Sequence, residues 1–145
     1  MSDGEMRVLL VDDDAVDAEG VARAFRKNGI PYPIVRAVDG VQALEILRGS
    51  GEKAPLARPY LILLDLNMPR MSGVEFLQEI RNDPQLKDAN IFVLTTSQAD
   101  EDKVAAYGLN VAGYLVKDEV GRDYGGLVNL LRNYWNAVKF PPAEE

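Results

Sequence analysis

Residues 7–14 read RVLLVDDD and residues 60–65 read YLILLD. Each holds a short apolar run of the kind that forms a strand buried on both faces of a parallel sheet. Each run ends in carboxylate. In an open parallel sheet, ligands bind in the crevice beyond the carboxyl ends of the strands. Asp12, Asp13 and Asp65 are therefore expected to converge in one mouth. Two unit charges about 4 Å apart repel by on the order of 4 kcal/mol at an effective dielectric near 20. Such a cluster is tolerable only beside a hard divalent ion, a basic side chain, or both.

Outward from these runs, strand and helix signals alternate. The first strand covers about Arg7 to Val11. A helix from Ala15 to Asn28 follows, with Asp14 as cap, Gly29 as stop and Val16, Val21, Ala24 and Phe25 as its apolar residues. Ile34 to Val38 reads as a strand, Val41 to Leu47 as a helix, and Arg48 to Pro59 as a surface loop rich in Gly, Pro and charge. Tyr60 to Leu64 is the third strand. Ser72 caps a helix through Val74, Phe76, Leu77 and Ile80, which Asn82-Asp83-Pro84 ends. Ile91 to Leu94 is the fourth strand and Asp100 opens a weak helix toward Tyr107. Gly113 to Val116 is the fifth strand. A last helix carries Leu127, Leu130, Leu131, Tyr134 and Val138 on one stripe. The expected fold is α/β: a doubly wound, five-stranded parallel sheet with five helices and right-handed crossovers. Residues 1–145 are expected to be one domain, its core at about 6–138 and its tail, 139–145, frayed.

Composition removes several chemistries. The chain has no histidine and no cysteine. A Ser-His-Asp triad, a histidine general base and a tetrahedral zinc site are therefore not expected. Any metal is expected to be held by oxygen, which favours magnesium, calcium or manganese. The net charge of −7 argues against a nucleic-acid surface. No apolar stretch approaches a membrane span of roughly 18 residues. The residues MSDGEM lack the pattern of a signal peptide, and the lack of cysteine fits the cytoplasm.

The strand ends form a set. The first offers Asp12 and Asp13, the third Asp65 and then Asn67, the fourth Thr95 with Ser97 beyond it, the fifth Lys117. A single strand-end Asp often only caps a helix, a single Thr reflects β-propensity, and a single Lys is usually solvated. Together they suit an oxyanion beside a divalent ion. Lysine supplies a point charge to a phosphoryl oxygen and threonine a hydroxyl donor.

VLLVDDD, LLDLNMPRMSG, VLTTS and GYLVK together resemble the receiver domain of two-component response regulators, the CheY-like (flavodoxin-like) fold, over roughly Met6 to Val138. The D-x-x-M-P-x-x-x-G block is matched by Asp65, Met68, Pro69 and Gly73. The separations of 30 positions from Asp65 to Thr95 and 22 from Thr95 to Lys117 are close to the family pattern. The resemblance implies that Asp65 is the phosphoacceptor and Asp13 the direct Mg²⁺ ligand, with Asp12 acting mainly through water. It implies that the Asn67 carbonyl completes the ion shell, that Thr95 and Lys117 bind the phosphoryl group, and that Tyr114 switches with Thr95. Ser97 and Asn67 would flank the route of a hydrolytic water. Asp118 stands where most receivers have proline after the lysine, so the loop after the fifth strand and its signalling surface are expected to be shaped differently.

A narrower likeness joins AYGLNVAGYLVK and NLLRNYWNAVKFP to the single-domain regulators paired with bacterial phytochrome histidine kinases. It rests on Tyr107, Leu109, Val111, Tyr114 and Lys117, and on Tyr134 with Trp135. The implied partner is a histidine kinase, and output is expected by contact rather than through an attached DNA-binding domain. Trp135 and the tail point to a homodimer through the last helix. The expected protein is a phosphoacceptor rather than an enzyme. Two other readings stand beside it: a phosphorylation-independent binding module, and a phosphatase of the haloacid-dehalogenase type. The latter wants a second Asp where this chain has Asn67.

Overall fold

The computed structural model describes residues 6–66, 68, 70–95, 104, 108–116, 127–129 and 132–133. For Thr95, Leu115 and Val116 it describes the backbone alone. Five strands form one parallel sheet: β1 (Arg7–Val11), β2 (Ile34–Ala37), β3 (Tyr60–Asp65), β4 (Asn90–Thr95) and β5 (Gly113–Val116). Their order is β2-β1-β3-β4-β5. The helices α1 (Ala15–Lys27), α2 (Gly40–Arg48) and α3 (Gly73–Asn82) separate the first four strands. Residues 104, 127–129 and 132–133 are also helical. The remainder of the fourth and fifth expected helices, Trp135 and the tail included, lies outside the described residues.

Alternation along each strand explains the two layers. On one face, Leu9 and Val11 of β1, Ile62 and Leu64 of β3, and Ile91 and Val93 of β4 pack against α2, α3 and Val104. On the other, Val8 and Leu10, Leu61 and Leu63, and Phe92 and Leu94 pack against α1, Leu127 and Val128. β3, at the centre, is buried at every residue. This is why its sequence is an unbroken apolar run rather than an alternating one.

The strand runs and caps fall where the sequence places them, within a residue or two. Asp14 caps α1, accepting from Val16 N at 2.8 Å and Asp17 N at 3.3 Å. Gly29 follows the helix at φ +66°. Ser72 and Glu75 form a reciprocal capping box on α3. Val16, one of the four apolar residues named for this helix, lies apart from the other three and is 80% exposed. The buried stripe of α1 is Ala18, Val21, Ala24 and Phe25, and at about 100° per residue Val16 sits roughly 140° from Val21. No described helix is long and apolar enough to cross a membrane.

Candidate functional site

The chain leaves β1 for β2 on one side, then returns to place β3 on the other. The crevice between β1 and β3 is thus the switch point of the sheet. Val11 pairs with Leu64, so the next residues, Asp12 and Asp65, stand level at the carboxyl rim. Asp12 and Asp65 are buried and Asp13 is exposed. One carboxylate oxygen from each of Asp12, Asp13 and Asp65 lies within 4.8 Å of the others. Of the three consecutive aspartates, Asp14 is committed to its cap and the other two face the crevice.

Backbone contacts hold these carboxylates in place. Asp12 N donates to Ala37 O at 3.0 Å, and Asp12 Oδ1 accepts from Asp14 N at 2.9 Å. Below Asp65, Gly73 N donates to Leu66 O at 2.9 Å. A Cβ on Gly73 would lie 2.5 Å from Leu66 Cα, so only glycine lets α3 start this close to the end of β3.

Three further side chains belong to this rim, and the sequence reading missed them as site residues. Arg36 of β2 donates from Nε and Nη2 to the Asp12 carbonyl, each at 3.2 Å. Asp39, the buried cap of α2, accepts from Gln42 N at 2.8 Å and from Arg70 Nε at 2.7 Å. The Arg70 guanidinium, with the Gln42 amide, holds the Asp39 carboxyl below the usual carboxylate range against the opposing effect of burial. Asp39-Gly40 ahead of an apolar-periodic segment is a readable cap signal. Nothing local points Arg36 or Arg70 at the site.

Thr95 ends β4 one position beyond Leu94, which pairs with Asp65, and its backbone stands at the same rim. Tyr114 of β5 pairs with Val93, is half-buried, and packs against the α2–α3 side of the core. The Thr95 side chain, Asn67, Ser97, Lys117 and Asp118 lie outside the described residues.

The donor set among the described residues is three carboxylates with no nitrogen or sulfur, which fits a hard divalent cation. Burying Asp12 and Asp65 as a pair is costly without compensating positive charge.

The fold, its switch-point carboxylates and the glycine-backed loop after β3 agree with a sequence match over residues 8–123: the chain belongs to the response regulator receiver domain family. Its acidic cluster has the donor set of a divalent-metal site. The chain is 36% identical over 137 residues to response regulator Rcp1 of Synechocystis sp., covering 94% of this chain and 93% of Rcp1. It resembles the crystal structure of the phosphorylated cyanobacterial phytochrome response regulator RcpA, with a TM-score of 0.79 at 34% identity over 94% of this chain and 97% of RcpA. The Mn²⁺-bound form of Rcp1 gives a TM-score of 0.77 at 36% identity, over 94% of this chain and 99% of that one.

Proposed function

We propose that this protein is a response regulator that accepts a phosphoryl group on Asp65 from a partner histidine kinase, with Mg²⁺ as its ion. The observation that carries this is the convergence of Asp12, Asp13 and Asp65 at the switch point of a receiver fold. Asp12, Asp13, Asp65 and the Asn67 carbonyl would hold the ion, which supplies the positive charge that lets phosphoryl oxygens approach a carboxylate cluster. An Asp65 carboxylate oxygen attacks phosphorus in line as the bond from phosphorus to the kinase histidine breaks. The bonding pair leaves with the imidazole nitrogen, and the product is an acyl phosphate. Lys117 and Thr95, matched by family spacing, contact the phosphoryl oxygens. Tyr114 stands on β5 beside the strand that ends in Thr95, so movement of Thr95 toward the new group opens space for the ring.

Acetyl phosphate with Mg²⁺ is expected to give a hydroxylamine-labile adduct of about one phosphoryl group per chain. The adduct should be absent in Asp65→Asn; an equal adduct in that variant refutes the assignment. The partner is proposed to be a kinase of the bacterial phytochrome type, which the likeness to RcpA and Rcp1 supports. Phosphoryl transfer from such a kinase should outpace transfer from unrelated histidine kinases. The proposed compartment is the cytoplasm. Homodimerisation through the last helix and tail is also proposed. Elution of Trp135→Ala as a dimer, unchanged from the parent, argues against that surface.

A further inference from the structure

One short segment, the end of β2 and the start of α2, reaches both loops that carry the acidic cluster. Toward β1, Arg36 places two N–H groups on the Asp12 carbonyl while Ala37 O accepts from Asp12 N. The backbone of Asp12 is thereby gripped on both sides. Toward β3, Asp39 takes Arg70 at 2.7 Å. The Met71 side chain covers Gly40 so closely that a Cβ there would lie 2.8 Å from Met71 Cγ. The chain between β3 and α3 is thus held at its outer end, Arg70 and Met71, as well as at its Gly73–Leu66 base.

We infer that Arg36 and the Asp39–Arg70 pair are positioning residues for the divalent ion: they hold the two acidic loops at coordinating separation, although none of the three is expected to touch the ion. The inference rests on the receiver metal-site reading above. The Arg70 side chain is 63% exposed, where an ion pair adds little stability. The Asp39 side chain is 5% exposed, so its charge-assisted bond to Arg70 has a well-defined geometry. The contact's share of global stability is small at that exposure, and its larger effect is on position.

The sign of one measurement separates this role from simple electrostatics. Removing a cation near the cluster strengthens divalent-ion binding if charge alone matters. It weakens binding if the arginine holds the loop. Mg²⁺ affinity is measured calorimetrically at about 0.15 M salt, where charge effects between exposed groups are largely screened beyond a Debye length of about 8 Å. Arg70→Ala and Arg36→Met are each expected to bind Mg²⁺ about tenfold more weakly than the parent, in the lower range for residues that orient ligands without being ligands. Arg70→Lys restores part of the loss. Asp39→Asn, which keeps the cap but removes the charge, shows the loss of Arg70→Ala. The double variant adds nothing further, since the two act through one contact. Thermal midpoints in EDTA show that each variant is folded, and the conservative variants carry the test if a drastic one is not. Equal or tighter Mg²⁺ binding in Arg70→Ala and Arg36→Met overturns the inference while leaving the metal site intact. Absence of Mg²⁺ binding by the parent overturns the metal-site reading itself.

Discussion

Gly73 shows how much one residue decides. Its missing side chain is what allows the first turn of α3 to lie against Leu66, the residue that follows Asp65. Gly73→Ala drives a Cβ into backbone, so the start of α3 or the end of β3 must shift. The expected cost is about 2 kcal/mol in urea unfolding, in the range for overpacking, with a slower acetyl phosphate reaction. Gly40→Ala meets first the Met71 side chain rather than backbone and should cost less; equal costs would contradict this account. At this scale the sequence is uneven in what it discloses. The aspartates, Ser72 and Gly73 are legible because strand ends, caps and turns have local signatures. Arg36 and Arg70 are not, because their partners lie 24 and 31 positions away. No period or spacing encodes such a contact.

At the scale of elements, α1 and α2 differ in legibility. The apolar spacing of α1 is readable, yet being apolar does not put Val16 in the core; its angular position puts it in solvent. α2 is readable from its cap, and that cap makes it sensitive to acid. The folded-state pKa of Asp39 is lowered, chiefly by Arg70. Its contribution is therefore present above the ordinary carboxylate value of 3.8 and is lost as pH falls through and below it. Asp83, lowered by the Gln85 amide and Arg48, acts in the same window. Unfolding free energy measured by urea from pH 6 to pH 3 is expected to fall less steeply in Asp39→Asn than in the parent. Parallel curves would show that the cap carboxylate is not held as described.

For the whole molecule, a five-stranded parallel sheet covered on both faces was legible because β1 and β3 are apolar runs, whereas the strand order comes from the structure. Metal binding should act on this entire unit, since β1 and β3 are neighbours and share both cores. With Mg²⁺ at about 100 times its Kd, the linked stabilisation is about 2.7 kcal/mol. The thermal midpoint should then rise by about 5–10 °C, and Asp13→Asn should flatten the response. A parent midpoint indifferent to Mg²⁺ would contradict coupling between site and fold.

At the opposite pole of the sheet, Arg81 at the end of α3 donates to the carbonyls of Lys87, Ala89 and Asn110. One guanidinium thus rivets a helix end to the approach to β4 and to the loop entering β5. The strand-start pole becomes a fixed foundation. A rearrangement of the kind proposed for the carboxylate rim would then find its firm base at this pole, and is expected to run sideways rather than toward it.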